Sequence, residues 1–213
     1  MVAMEELGRG MVLEPLAHAF IASSVLTQYA PAELQAAWLA RIASGGALVV
    51  LAQQERKARY ALEKCEAKSA PAQSGYTLTA TKNIVPAGDQ ADAYLVPAQL
   101  DGQIALFLVE RSASGVSAQG YATQDGSRAA EVQFANASAT LITKDGLAAL
   151  ELAVDTGIAS LCAEAVGVMD KAVALTVDYM NQRKQFGVTI ASFQALRHRV
   201  ADMKMQLELA RSM

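Results

Sequence analysis

The segment from Cys162 to the C-terminus constrains the fold most, because it contains two long helical patterns separated by one short breaker. The apolar residues of the first pattern are Cys162, Val166, Met169, Val173, Val177 and Met180. Those of the second pattern are Phe193, Leu196, Val200, Met203, Leu207 and Ala210. Steps of three or four residues are typical of a helix with one buried stripe. The segment therefore predicts an antiparallel helical hairpin.

The breaker between the two patterns is RKQFG, residues 183–187. Gly187 suits the end of the first helix, Arg183 suits its negative pole, and Ser192 is a candidate N-cap for the second helix. One interpretation is structural only, with basic residues complementing the helix dipole and the Phe packing the turn. The other is an anion site, because a guanidinium binds phosphate oxygens in a bidentate fork. In that case Gln194 is placed to add an amide contact.

Three shorter helices are predicted before residue 47. The first covers residues 1–10 and is expected to stop at Gly8 and Gly10. The second starts at Glu14-Pro15, and the third starts at Pro31 and buries Trp38, since proline is tolerated in a first helical turn.

Between residues 47 and 144 the apolar pattern changes to that of β-strands. A charged stretch, residues 55–68, predicts an exposed loop or a short helix, and Asp101-Gly102 is a hairpin signal. The predicted strands are residues 47–53, 76–82, 91–98, 104–110, 116–121, 130–135 and 139–142. Short strands separated by turn signals favour an antiparallel barrel or sandwich. Helices, then strands, then helices indicate an α+β fold and not a doubly wound sheet.

Composition excludes several classes of function. The chain is 53% hydrophobic and 18% charged, so it can bury a core, and its net charge of −3 with no basic block argues against nucleic acid. No apolar run reaches the roughly 18 residues of a membrane span, and no signal peptide is recognised, so a cytoplasmic location is expected. Two cysteines and two histidines at unrelated positions predict no metal site. Neither a GxGxxG nor a GxxxxGK[ST] nucleotide loop is present.

Three motifs follow one another in a single register between residues 179 and 213. They are R-x-x-F-G at residues 183–187, I-x-x-F-Q at residues 190–194, and A-D-M-x-x-x-L-E-x-A-R at residues 201–211. In this combination the chain resembles the acyl-CoA dehydrogenase family. Looser matches to the family are EELGRG, W-L-x-x-I-A-S-G, LAQQE and TATKNIVPAGDQADAYLVPA.

The resemblance implies a fold and an activity. The implied fold is a helical segment, a central antiparallel β-barrel and the long C-terminal helices of an incomplete four-helix bundle. The implied domains are the end of an N-terminal helical domain (1–46), a β-barrel middle domain (47–144) and the start of a C-terminal helical domain (145–213). The implied reaction, in fatty acid metabolism, is FAD-dependent oxidation of an acyl-CoA thioester between its α and β carbons, with the hydride passing to FAD.

The resemblance also implies partners and cofactor contacts. The partners are an acyl-CoA substrate, an electron-transferring flavoprotein, and further subunits in a homo-oligomer (dimer or tetramer) or heteromer. Residues matching positions near the pyrophosphate and adenosine of a neighbouring subunit's FAD are Arg183, Gln185, Phe186 and Gln194. Residues in the barrel segments that meet the flavin ring are Gln53, Gln54, Ile84, Val85 and Pro86.

The sequence departs from the family at several places. Residues 56–60 replace a loop rich in glycine and serine, and Ile84, Val85 and Pro86 replace a Trp-Ile-Thr segment. Gly157 and Ile158 lie where some members have the catalytic base, so the base is unknown. We expect the chain to be truncated at both ends.

Three hypotheses follow. The first is an acyl-CoA dehydrogenase, inactive as this chain alone if the base is absent. The second is a non-catalytic subunit that completes the FAD site of a heteromeric dehydrogenase. The third is a helical interaction module that retains only the fold.

Overall fold

A computed structural model describes all 213 residues, which form two compact units. The larger unit is Pro15–Gly157, and the smaller one combines Met1–Glu14 with Ile158–Met213. The helices are α1 (Val2–Gly10), α2 (Leu16–Tyr29), α3 (Ala32–Ala43), α4 (Gly146–Gln182) and α5 (Gln194–Ser212). The strands are β1 (Val49–Leu51), β2 (Lys68–Pro71), β3 (Tyr76–Pro86), β4 (Ala93–Leu100), β5 (Gln103–Glu110), β6 (Val116–Ala122), β7 (Arg128–Thr143), β8 (Lys184–Gln185) and β9 (Val188–Thr189). The predicted division into three domains stays a prediction.

A closed barrel forms the centre of the larger unit. Around it, β4 pairs with β5, β5 with β7, β7 with β3, β3 with β2, and β2 returns to β4. β1 extends the sheet beside β4, and β6 extends it beside β7. Most pairings are antiparallel, whereas β1 and β2 each pair with β4 in parallel. The predicted α+β fold with a central barrel and long C-terminal helices is confirmed.

Strand β4 shows how the core is divided. Its residues are almost all buried, on both faces of the strand. One face contributes Tyr94 to the barrel interior, where its ring meets Phe134 edge to face at 5.6 Å. The other face contributes Leu95 to a second cluster that includes Trp38 and Leu26 from the covering helices. Burial on both faces explains why β4 reads as a continuous apolar run instead of an alternating one.

Two strand predictions need correction. β2 was not predicted, because its residues are largely exposed and carry no apolar alternation, so only its pairings with β3 and β4 define it as a strand. Residues 130–135 and 139–142 belong to one strand, β7, not two. The apparent gap is a bulge in which Asn136 has a positive φ of 52° and the strand continues beyond it.

The smaller unit depends on a close approach of α1 to α4. A Cβ on Gly8 would lie 2.0 Å from the carbonyl oxygen of Glu164, and a Cβ on Gly167 would lie 1.8 Å from that of Glu5. Glycine at both positions therefore lets the two backbones touch. The prediction that Gly8 stops α1 is wrong, since the helix runs through it to Gly10. An Arg9–Asp170 ion pair adds to the same contact.

Two predicted helix boundaries around the breaker are also wrong. α4 ends at Gln182, before Gly187, which instead occupies a β-turn with φ +82°. Ser192 belongs to a short 3₁₀ turn, where its hydroxyl donates to the carbonyl of Thr189 at 2.7 Å. α5 starts after Phe193 with no side-chain cap.

One helix, α4, is long and apolar enough to cross a membrane by length and composition, with a mean hydropathy of 1.5 over its most apolar window. The expectation concerned uninterrupted apolar runs, and charged residues do interrupt α4, whereas its mean hydropathy meets the looser test. A core helix of a soluble bundle has the same composition, so this observation is weak evidence for a membrane span.

The glycine contact predicts different effects for two similar substitutions in α4. Gly167→Ala should destabilise the smaller unit, because the new Cβ would overlap the backbone of α1. Gly157→Ala should be neutral or stabilising by up to about 1 kcal/mol, because alanine favours the helix and the nearest atom is the flexible end of Ile21, 3.2 Å away. Hydrogen exchange of the α1 amides measures the difference. Equal protection of α1 in both variants would contradict the prediction.

Candidate functional site

A buried ion pair holds together the barrel end that carries the predicted flavin-contacting residues. The Lys82 Nζ lies 2.7 Å from Glu55 Oε1, and both side chains are almost completely buried. Lys82 also donates to the carbonyl oxygens of Pro97 at 3.0 Å and Gln53 at 3.4 Å. The predicted exposed segment 55–68 thus begins at a buried residue.

The carboxylate of Glu55 is as fully bonded as the ammonium group. It accepts hydrogen bonds from the backbone N–H groups of Glu66 at 2.6 Å and Ala67 at 3.2 Å. Burial by itself raises the pKa of Glu55, but Lys82 and these two backbone donors outweigh it, so the pKa lies below its ordinary value. The pair therefore stabilises the fold above the ordinary carboxylate pKa. That contribution is lost as the pH falls through the lowered one.

The structure places the two predicted barrel segments side by side. The backbone N–H of Asn83 donates to the carbonyl oxygen of Gln54 at 2.8 Å. Gln53 and Gln54 follow β1, and Ile84 lies one residue beyond Asn83 near the end of β3. A backbone hydrogen bond thus joins two segments whose bonded residues, Gln54 and Asn83, are 29 positions apart in sequence.

The β3 segment is irregular at Ile84. Lys82 pairs with Val132 and Val85 pairs with Ala130, so Asn83 and Ile84 together oppose one residue of β7. This is a β-bulge, and Ile84 adopts a positive φ of 49° with its side chain 52% exposed. A positive φ is rare for a β-branched residue and indicates a conformation held by its surroundings.

Val85 and Pro86 differ from Ile84 in exposure. The side chain of Val85 is buried in the barrel, so only its backbone is placed to meet a ligand. Pro86 is exposed at the end of β3 and pairs with Ala129. Their roles as cofactor contacts stay predictions.

The second group of predicted residues surrounds a β-hairpin between α4 and α5. Lys184–Gln185 pairs with Val188–Thr189, and the turn between them is Phe186-Gly187. Both turn residues have positive φ, 54° and 82°, as a tight two-residue hairpin requires. Phe186 is 91% exposed at the tip, and its ring meets that of Phe193 edge to face at 6.2 Å.

Arg183 is fixed by its backbone and free at its side chain. Its N–H donates to Tyr179 at 2.8 Å, and its carbonyl accepts from Ile190 at 2.9 Å. The guanidinium is exposed and makes no ion pair with the chain's own carboxylates, whereas Arg9 and Arg211 both do. A guanidinium without an internal partner is available to bind an anion.

The two glutamines near the hairpin do not contact Arg183 through their side chains. Gln185 donates to the carbonyl of Lys184 at 2.9 Å, and Gln194 lies 3.4 Å from His198 Nε2. Both are exposed. The structure therefore gathers these residues at one corner without linking them into a network.

Two residues of the barrel end were missed from sequence. Lys82 falls on the same strand face as Leu78 and Ala80, and a lysine at an inward position signals a buried partner. Glu131 faces the bulge and was not considered, because a single glutamate in a strand carries no motif. Its contacts appear only when β3 and β7 pair.

The buried pair predicts a large loss of stability when one partner is removed. Lys82→Met should lower the free energy of unfolding by about 3–5 kcal/mol, because it leaves the Glu55 carboxylate buried without its counter-charge. The matched control is Lys57→Met, which removes the exposed Lys57–Glu66 pair and should cost about 0–1 kcal/mol. Urea unfolding measures both values. Similar losses in the two variants would show that burial does not set the importance of Lys82.

The sequence is similar to those of acyl-CoA dehydrogenases. The C-terminal domain of acyl-CoA dehydrogenases matches residues 144–213. The acyl-CoA dehydrogenase FadE27 of Mycobacterium tuberculosis is 29% identical over 185 residues, which are 85% of this chain and 48% of the relative. A short-chain-specific acyl-CoA dehydrogenase of Megasphaera elsdenii is 30% identical over 151 residues, 65% of this chain and 39% of the relative. The chain spans about half the length of the curated relatives it matches.

Two solved structures superpose on almost the whole of this chain. Butyryl-CoA dehydrogenase from Megasphaera elsdenii superposes with a TM-score of 0.92 at 25% identity, covering 99% of this chain and 59% of the other. The ChsE4-ChsE5 complex from Mycobacterium tuberculosis superposes with a TM-score of 0.84 at 28% identity, covering 97% and 56%. Together with the barrel and the R-x-x-F-G hairpin, these matches show that the chain is similar to acyl-CoA dehydrogenases over nearly its whole length.

Proposed function

We propose that this chain is part of an FAD-dependent acyl-CoA dehydrogenase that oxidises an acyl-CoA thioester between its α and β carbons. The observation that carries the proposal is the contact between Asn83 and Gln54, which joins the two barrel segments that the family resemblance assigns to the flavin. Relatives over most of the chain have this activity in their names. We further propose a cytoplasmic location, association with other subunits, and an electron-transferring flavoprotein as the electron acceptor.

The residues on the surface fit an FAD. The Gln53–Gln54 segment and the Ile84 bulge are joined by the Asn83–Gln54 hydrogen bond, so in this proposal both meet the polar edge of one planar ring. Arg183, exposed and without an internal carboxylate, is suited to a pyrophosphate. We assign Gln185, Phe186 and Gln194 to the same nucleotide portion of a neighbouring subunit's FAD. When bound, FAD supplies the hydride acceptor.

The chain's own residues orient the cofactor in this proposal, and the base is not assigned. Glu151 is exposed and Glu164 is half-buried, each on α4, and neither lies in a cluster of groups that would mark it as a base. Asp155 is also exposed on α4 and likewise has no feature that marks it as a base.

A second candidate function is a subunit that completes the flavin site of a heteromeric dehydrogenase. The observation that favours it is the match to the ChsE4-ChsE5 complex, a structure with two differently named chains. In this case Arg183 would act across the interface while the partner supplied the base. A helical interaction module is the third candidate, and a groove of about 380 Å³ between α4 and α5, lined mainly by apolar residues, supports it.

A visible spectrum of the purified chain separates the three candidates. Flavin absorbance that bleaches on adding an acyl-CoA supports the dehydrogenase. Flavin that appears only after a partner subunit is added supports the site-completing subunit. No flavin under either condition would contradict both and leave the interaction module.

Replacement of Arg183 tests its assignment directly. Arg183→Ala should lower FAD affinity by about tenfold or more, since it removes a charge-assisted hydrogen bond to the pyrophosphate. The fold should be unaffected because the side chain is exposed and unpaired. Arg199→Ala is the control, as an exposed arginine of α5 outside the hairpin. FAD fluorescence titration measures the affinities, and equal affinities in the two variants would contradict the role of Arg183.

A further inference from the structure

The bulge in β3 has one residue opposite it, Glu131. Between the Lys82–Val132 and Val85–Ala130 pairs, Asn83 and Ile84 share Glu131 as their only counterpart on β7. A bulge of this kind interrupts the ladder and leaves a backbone donor without its regular partner. Such a donor is costly when shielded from water unless another group accepts its hydrogen bond.

The carboxylate of Glu131 supplies that acceptor. One oxygen, Oε2, accepts a hydrogen bond from the side-chain amide of Asn83. The other, Oε1, accepts from the backbone N–H of Ile84 at 3.4 Å. Both oxygens of one carboxylate are therefore used on the two residues of the bulge.

The same bulge is connected to the neighbouring segment. Asn83 is buried, with 6% of its surface exposed, and its backbone N–H donates to the Gln54 carbonyl at 2.8 Å. Glu131 thus reaches the Gln53–Gln54 segment through Asn83. No other charged side chain makes a hydrogen bond to the bulge residues.

The conformation at Ile84 needs this support. For a β-branched residue, a φ of +49° is less favourable than an extended backbone. Without the Glu131 contacts, an extended conformation of Ile84 would have the lower free energy, and the residue would return to it. That change would rotate the Ile84 side chain, now half-exposed, and re-aim the backbone of residues 83–85.

We propose that Glu131 is a positioning residue for the flavin site, because its carboxylate clamps the Asn83–Ile84 bulge against the Gln53–Gln54 segment. This inference rests on the proposed FAD binding. In this role Glu131 fixes the conformation of the backbone that faces the flavin ring, and its side chain does not need to contact the ring. This role also explains how the segment keeps a defined shape without the Trp-Ile-Thr residues that many relatives have there.

The test compares three variants of the full chain. Glu131→Ala removes both acceptors, Glu131→Gln keeps the shape and one acceptor, and Gln133→Ala is the control. Gln133 lies two residues along β7 on the same side of the strand and is exposed. Two measurements are made on each: hydrogen exchange of the amides of residues 83–85 without ligand, and FAD affinity by fluorescence titration.

In Glu131→Ala we expect exchange of the Ile84 amide to accelerate by about tenfold and the Kd for FAD to rise by about tenfold. Glu131→Gln should fall between this variant and the unmodified chain in both measurements. Gln133→Ala should match the unmodified chain. This graded order is not expected of a residue that only stabilises the barrel.

Each other outcome overturns a stated part of the inference. Unchanged exchange in Glu131→Ala overturns the clamp, and faster exchange with unchanged FAD affinity overturns its role in positioning. If Glu131→Ala does not fold, a Glu131→Gln variant identical to the unmodified chain in both measurements overturns it instead. An unmodified chain that binds no FAD, alone or with a partner subunit, overturns the proposed function and this inference together, which distinguishes that failure from the others.

Discussion

The Lys82–Glu55 ion pair is the interaction on which the arrangement of the barrel end depends. Lys82 lies on β3 and bonds to the backbone of β4 and of the segment after β1, and Glu55 bonds to the backbone of the two residues just before β2, so the pair joins all four segments. Two opposite charges in an apolar interior are tolerated only when nearly every polar atom has a partner, which is the case here. The Gln53 carbonyl is one of those partners, so the pair also fixes the position of the proposed flavin surface.

Three sets of contacts therefore hold the proposed site in place. The buried pair holds the Gln53–Gln54 segment, Asn83 joins that segment to β3, and Glu131 holds the bulge from the other side. A ring-binding surface made of backbone cannot adjust by changing rotamers, so its precision must come from these supporting side chains. The absence of the aromatic and hydroxyl residues of many relatives is compatible with the proposed cofactor for the same reason.

Backbone strain occurs at both groups of proposed cofactor contacts. Ile84 and Phe186 each have a positive φ, and both side chains are exposed instead of packed in a core. The tight hairpin turn requires the positive φ of Phe186, and the β-bulge requires the positive φ of Ile84. Seven non-glycine residues of the chain have a positive φ, and these two are the ones that lie among the proposed cofactor contacts.

The sequence by itself determined the order of helices and strands, the resemblance to acyl-CoA dehydrogenases, and the location of the Arg183 corner, because periodicity and the R-x-x-F-G motif are local along the chain. It predicted Gly187 as the end of the first helix, but the helix ends at Gln182 and Gly187 lies in the hairpin that follows. It missed β2, the continuity of β7, the Gly8–Gly167 region of close backbone contact and the role of Glu131. Each of these depends on a residue far away in sequence: β2 on β3, Gly8 on Glu164, and Glu131 on the bulge at Ile84. Only the tertiary structure decided them, because a hydrogen bond or a steric limit between distant segments leaves no periodic signal in either one.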